Sequence, residues 1–181
     1  MRTRLWVVAL ALLAVMVAVA LLSLSLGAAS VPPAKAGMAV LASLPGLGSL
    51  APELNDAERT IIFDLRLPRL VLALLVGASL AMAGVVMQAL FQNPMAAPSI
   101  IGVSAGGALG ATAAIMLGFN FWLWRLSSMT VSAFVGALAV TAVVYLLSRR
   151  GGRTPVGVLL LTGIAVGAMA SAASSFILIA Y

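Results

Sequence analysis

Between Leu70 and Leu147 this chain carries a single charged residue, Arg125, and after Arg153 it carries none. A soluble domain usually has about a quarter of its residues charged. Here the charged share is 8% and the hydrophobic share 64%, so lipid is the solvent that fits. In hydrocarbon every backbone N–H and C=O must be bonded within the structure itself, and uncharged runs of this length are therefore read as helices. The expected fold is all-α, a polytopic transmembrane helical bundle forming one transmembrane domain over residues 1–181. Other chemistry is removed by composition. The chain has no Cys and no His, which rules out disulfides, thiolate or imidazole metal sites and imidazole acid–base catalysis, so no metal site, no catalytic residue and no cofactor is expected. The formal charge of +6 does not point to nucleic acid, because the basic residues stand at the ends of apolar runs, where they act as topology signals.

About five spans are expected. Residues 5–29 form the first, longer at about 1.5 Å per residue than the roughly 30 Å hydrocarbon core. Arg2 and Arg4 before it and Gly27-Ala28-Ala29 after it resemble a secretion signal, but a signal core is only about 7–15 residues long, which favours a retained helix. Residues 30–69 hold every acidic side chain, Glu53, Asp56, Glu58 and Asp64, together with Pro32, Pro33, Lys35, Pro45 and Pro52. They read as an extramembrane loop, in which Asn55 and Glu58 have the spacing of a capping box and Ala57, Ile61, Ile62 and Leu65 that of a short amphipathic helix. Further spans are expected at 70–91, 99–124, 127–147 and 155–181. Placing Arg2, Arg4, Arg149, Arg150 and Arg153 in the cytoplasm follows the positive-inside rule, with the acidic loop and Arg125 outside and Gln92 to Pro98 inside.

Small residues recur every fourth position at Gly102, Gly106 and Gly110, and again at Gly163, Gly167, Ser171 and Ser175. Such spacing lets helix backbones approach closely where lipid removes the hydrophobic drive. Gly102-Val-Ser-Ala-Gly106 also matches the G-x-S-x-G of serine hydrolases, but without a histidine Ser104 has no base, and it is read as a packing or backbone-bonding hydroxyl. No phosphate-binding G-x-x-x-x-G-K-[ST] loop is present, so any ATP would be hydrolysed by another subunit. No Asp, Glu, His or Arg lies inside a span, which weakens an ion-coupled carrier mechanism.

One stretch is more specific. Arg66-Leu-Pro-Arg69 precedes an apolar helix with Gly77, Gly84 and Gln88, then Asn93-Pro-Met-Ala-Ala-Pro98, then Gly102-Val-Ser-Ala-Gly106-Gly107; Leu159-Leu-Leu-Thr-Gly163-Ile-Ala follows later. In this order the segments resemble the FecCD family of bacterial ABC-importer permeases, whose pattern runs R-x-P-R, a glycine-rich helix with a glutamine, N-P-L-A-x-P and G-x-S-x-G. Met95 replaces the customary leucine, a swap of similar volume. The resemblance implies a cytoplasmic (inner) membrane protein that imports an iron-siderophore, haem or cobalamin. It also implies about ten helices, of which this chain would supply the N-terminal half, so that the sequence reads as truncated. The implied partners are a second permease copy, identical or not, two cytoplasmic ABC ATPase subunits, an extracytoplasmic substrate-binding protein, and membrane lipid.

By the same resemblance, Arg66 and Arg69 dock the binding protein through its carboxylates, a role suited to permanently charged guanidinium forks. Interfacial headgroup anchoring is the plainer reading of the two arginines. Asn93, Pro94 and Pro98 form the cytoplasmic turn; Gly77, Gly84, Gly102, Gly106 and Gly110 are helix-packing positions. Gly163, Gly167, Ser171 and Ser175 are candidates for lining the pathway. Arg149, Arg150 and Arg153 are candidates for the cytoplasmic gate loop, beside the simpler reading as positive-inside anchors. The rival functions are an ion-coupled secondary transporter and a non-transporting membrane scaffold or fragment.

Overall fold

The computed structural model describes residues 2–27, 29–123 and 126–180, so Arg125, expected on the outer side, falls outside the described residues. The chain divides into two compact units, Met1–Ser79 and Leu80–Tyr181. Four of the described helices are long and apolar enough to cross a membrane. The protein is an all-α polytopic helical bundle.

In the first unit, α1 (Arg2–Ser25) is the apolar helix expected near the start, though it ends short of Ala29. Within the segment expected as loop a helix follows: α2 (Pro33–Ala42) opens with proline at its first helical position, where the missing N–H is no loss. Next comes α3 (Asp56–Arg59), held by the capping box. The Glu58 backbone N–H donates to Asn55 Oδ1 at 2.7 Å, and the Asn55 N–H donates to Glu58 Oε2 at 3.0 Å. Buried Leu24, Val31, Ala36, Ala39 and Ile62 make this unit's core, with Phe63 and Leu67 packed against it.

The helix opened by the capping box does not stop at the membrane surface. Instead α3, a π-helical turn over Thr60–Arg66 and α4 (Leu67–Phe91) run on as one helix from Asp56 to Phe91, 36 residues long, in place of a surface helix and a separate span at 70–91. Pro68 is the physical reason for the π turn. In an α-helix its ring would strike the carbonyl four residues back, that of Asp64, and its own donor is missing. Widening the preceding turn, with the Leu67 N–H donating to Ile62 O five residues back, carries the chain past the proline.

In the second unit the expected span at 99–124 is broken up. A 3-10 turn over Pro98–Ile101 leads to Gly102, whose φ of +81° takes the chain out of the helical path, and α5 (Val103–Met116) has only 14 residues. At about 1.5 Å per residue that is roughly 21 Å, short of the hydrocarbon core. The stop is a Schellman motif: Gly118 at φ +64° donates to Ile115 O at 3.1 Å, and Phe119 donates to Ala114 O at 3.0 Å. β1 (Trp122–Leu123) pairs antiparallel with β2 (Leu126–Ser127), which leads into α6 (Ser128–Ser148), capped by Ser127 accepting from the Thr130 N–H. After a tight turn, α7 (Val156–Ala180) follows. Helix α5 packs against both α6 and α7. A second cluster of Met87, Phe91 and Ala96, with Leu159 and Leu160 against it, joins the end of α4 to the start of α7.

Candidate functional site

Arg66 and Arg69, three residues apart in sequence, have different surroundings. The last carbonyls of a helix have no partner within it, and at the end of α1 Arg66 supplies one: its Nη1 donates to Leu24 O at 2.6 Å and its Nη2 to Ala29 O. The guanidinium lies so close to the chain that a Cβ on Gly27 would stand 2.6 Å from Nη2, and a side chain there would have to push the guanidinium aside. Arg69 is exposed and bonds to nothing among the described residues. Both line a cleft of about 510 Å³ whose other walls include Leu26, Ile61 and Leu65. On the same unit Lys35 ties α2 to α3 through Glu58, with Nζ at 2.8 and 2.7 Å from the two carboxylate oxygens. The Lys35 ammonium, and after it the Asn55 N–H, hold the Glu58 carboxyl below its ordinary value of 4.5.

In the second unit, α4 ends in a turn around Asn93. Its side chain closes a local bond by accepting from the Met95 N–H at 2.9 Å, and Ala96 N donates to Asn93 O at 3.1 Å. Asn93 and Pro94 are exposed, while Pro98 opens the 3-10 turn.

The glycines sort into two groups. Gly102, Gly106 and Gly110 carry the contact of α5 with α6: a Cβ on Gly106 would stand 2.6 Å from Gly136 O and 2.7 Å from Val140 Cβ, and one on Gly110 would collide with Ser132 O. By contrast, a Cβ on Gly77 or Gly84 would meet nothing within 4 Å, so neither is a packing position among the described residues. They lie on faces of α4 that nothing within reach of a Cβ covers. Ser104 is also exposed, unlike buried Gly102 and Gly106, and it is not a packing hydroxyl in this structure.

The stripe on α7 divides as well. Gly163 is buried against Ile100 and Ile101, and a Cβ on Gly167 would stand 3.5 Å from the Cα of Gly102, whereas Ser171 and Ser175 are exposed. At 3.6 residues per turn, each four-residue step advances about 40° around the helix. A stripe that begins in the packed seam therefore turns out of it within three steps, and the seam continues through buried Ala170 and Ser174.

Arg149, Arg150 and Arg153 are all exposed in the connection from α6 to α7. Arg150 and Arg153 pair backbone to backbone across Gly151 and Gly152, which have φ of +57° and +78°, while the Arg149 guanidinium carbon sits 5.9 Å from the centre of the Tyr145 ring.

The sequence model of the FecCD transport family matches residues 10–181. This chain belongs to that family. It is 44% identical over 124 residues to the cobalamin import system permease protein BtuC of Halobacterium salinarum, covering 68% of this chain and 32% of that one. Identity to the hemin transport system permease protein HmuU of Yersinia pestis is 43% over 120 residues, covering 66% and 36% of the two. The molybdate import system permease protein MolB of Haemophilus influenzae is 36% identical over 162 residues, 90% of this chain and 45% of the relative. A solved chain described as an inward-facing metal-chelate type ABC transporter superposes with a TM-score of 0.66 at 32% identity, covering 91% of this FecCD chain and 45% of its own. The chain thus spans 32–45% of the length of these relatives.

Sequence reasoning missed the anchoring of Arg66. Its partners lie 42 and 37 residues away, and no periodicity reports such a contact. The glycine pair that aligns Arg150 with Arg153 was readable as a hairpin signal.

Proposed function

We propose that this FecCD chain forms membrane-spanning helices of the permease subunit of an ATP-driven importer in the bacterial cytoplasmic membrane, moving an iron chelate, haem or cobalamin inward. The observation that carries this reading is the family match over nearly the whole chain, joined to relatives whose names describe import permeases for cobalamin and hemin. Two permease copies face each other, two separate ATPase subunits hydrolyse ATP on the cytoplasmic side, and a soluble binding protein delivers the solute outside. No residue of this chain performs covalent chemistry. Ser171 and Ser175, on the exposed face of α7, line the pathway; Gly163 and Gly167 set its wall by close packing. The N-terminus is cytoplasmic, and the segment from Lys35 to Asp64 lies outside, where Arg69, and Arg66 if it leaves its carbonyls, meets carboxylates of the binding protein. Asn93, Pro94 and Pro98 form the cytoplasmic turn, and the loop carrying Arg149, Arg150 and Arg153 acts as the cytoplasmic gate.

Uptake energetics test the transport reading. In cells that depend on a permease carrying this segment, solute uptake is expected to stop when the partner ATPase is inactivated and to persist when the proton gradient alone is collapsed. The reverse pattern identifies an ion-coupled carrier instead. Docking is tested by Arg66→Glu with Arg69→Glu, which is expected to weaken binding-protein affinity more at low salt than at high salt, because rim charges are screened. Unchanged affinity at low salt removes the docking role.

A further inference from the structure

The connection between α6 and α7 is short and sharply shaped. α6 ends at Ser148, α7 begins at Val156, and both are long and apolar enough to cross a membrane. Gly151 and Gly152 both have positive φ, as a two-residue type I′ hairpin requires. Around them Arg150 N donates to Arg153 O at 2.8 Å and Arg153 N donates to Arg150 O at 3.1 Å. Residues that exchange both backbone bonds stand directly opposite each other, with side chains on the same face. The turn therefore starts the two arginine side chains from paired positions on one face, within reach of a common anion. Like charges placed so are destabilising unless an anion lies between or above them. No carboxylate of this unit can serve, because residues 80–181 contain neither Asp nor Glu. Arg149 is directed elsewhere, toward the Tyr145 ring.

We propose that Arg150 and Arg153 form a binding site for the phosphate of an anionic lipid headgroup. The chemistry is that of paired guanidinium forks, which take phosphate oxygens through charge-assisted hydrogen bonds. The location selects lipid over other anions. A tight turn between two spanning helices cannot reach far from the bilayer, so the two arginines sit at headgroup depth whichever leaflet the turn faces, and headgroup phosphates are the most concentrated anions there. Gly-Gly thereby aligns two charges that a looser loop would leave to move separately. The site rests neither on the transport reading nor on the orientation of the chain.

The test uses the 181-residue chain in nanodiscs of phosphatidylcholine containing a minor share of phosphatidylglycerol, with retained lipid counted by native mass spectrometry after release from the disc. The wild-type chain is expected to retain phosphatidylglycerol in preference to phosphatidylcholine. Arg150→Gln with Arg153→Gln should reduce that retention on the order of 25-fold, since each arginine near an anionic surface contributes roughly a fivefold effect and the two multiply. Arg149→Gln should reduce it clearly less. Gly151→Val with Gly152→Val keeps every charge and forbids the turn, because a β-branched residue resists positive φ; it should also lose the lipid, with helix content by circular dichroism unchanged. Wild-type retention by the double glutamine variant overturns the site. Wild-type retention by the valine variant shows charges acting without the turn and overturns it equally. Displacement of the lipid by dilute inorganic phosphate would identify a free anion as the occupant and overturn the lipid assignment.

Discussion

The two units of this chain are held together by different physics. In the first, polar fasteners join elements far apart in sequence: Arg66 to the carbonyls of Leu24 and Ala29, and Lys35 to Glu58. In the second, helices meet by omission of side chains, Gly106 and Gly110 lying against the backbone of Gly136 and Ser132. The buried hydroxyls of Ser148 and Ser174 there bond back to their own helix, to Val144 O at 2.6 Å and Ala170 O at 3.0 Å. The contrast follows from solvent. Charges serve where water or headgroups can solvate them before and after the contact forms, while within hydrocarbon close van der Waals approach and internally satisfied hydroxyls cost least.

The strongest challenge to this contrast is a side chain placed in the glycine seam. Gly110→Leu drives its Cβ into the backbone of Ser132, which no rotamer change relieves, and should cost about 3 kcal/mol or more. Melting in detergent should fall sharply, while Gly84→Leu, with open space around it, stays within about 0.5 kcal/mol of wild type. Equal melting of both variants would mean that the α5–α6 contact is incidental. Next in size is the difference between the two arginines. Arg66→Ala leaves the end of α1 uncapped and should cost about 1.5 kcal/mol, the low end for hydrogen bonds to a charged group because the site is only partly buried. It should also speed maleimide labelling of a cysteine introduced by Ala29→Cys. Arg69→Ala should change neither, and matching effects of the two substitutions would contradict the separate environments of the pair.

The smallest effect concerns pH. Glu58 has a lowered pKa in the folded chain, so its tie to Lys35 contributes fully above the ordinary glutamate value of 4.5 and is lost as pH falls through the lowered folded value. Melting of the wild-type chain should therefore drop slightly more than that of Glu58→Gln on acidification below this range, and the two curves should run parallel above it. A difference that instead grows toward alkaline pH would place the effect on another group.

Much of the candidate site was legible because it depends on neighbours along the chain. The Asn55–Glu58 capping box, the Asn93 side-chain turn and the close-packing spacing of Gly102, Gly106 and Gly110 each involve residues a few positions apart, where composition and geometry are directly coupled. Elsewhere a structural device overrides the local rule. A separate span is expected from residue 70, but a π turn carries the helix from Asp56 through Pro68. The run from Ser99 to Trp124 looked like one span, and Gly102 and Gly118 divided it.

The sequence by itself determined that this chain lives in lipid, that it is helical, which segments are apolar and which family pattern they follow, because these depend on composition and on order along the chain. Tertiary structure alone decided which members of each pattern work together. Among the described residues it separated Arg66 from Arg69, packed Gly163 and Gly167 while leaving Ser171 and Ser175 open, and closed α5 against α6 while placing nothing within reach of a Cβ at Gly77 and Gly84. Periodicity names a face of a helix, and only the placement of the other helices says what that face meets.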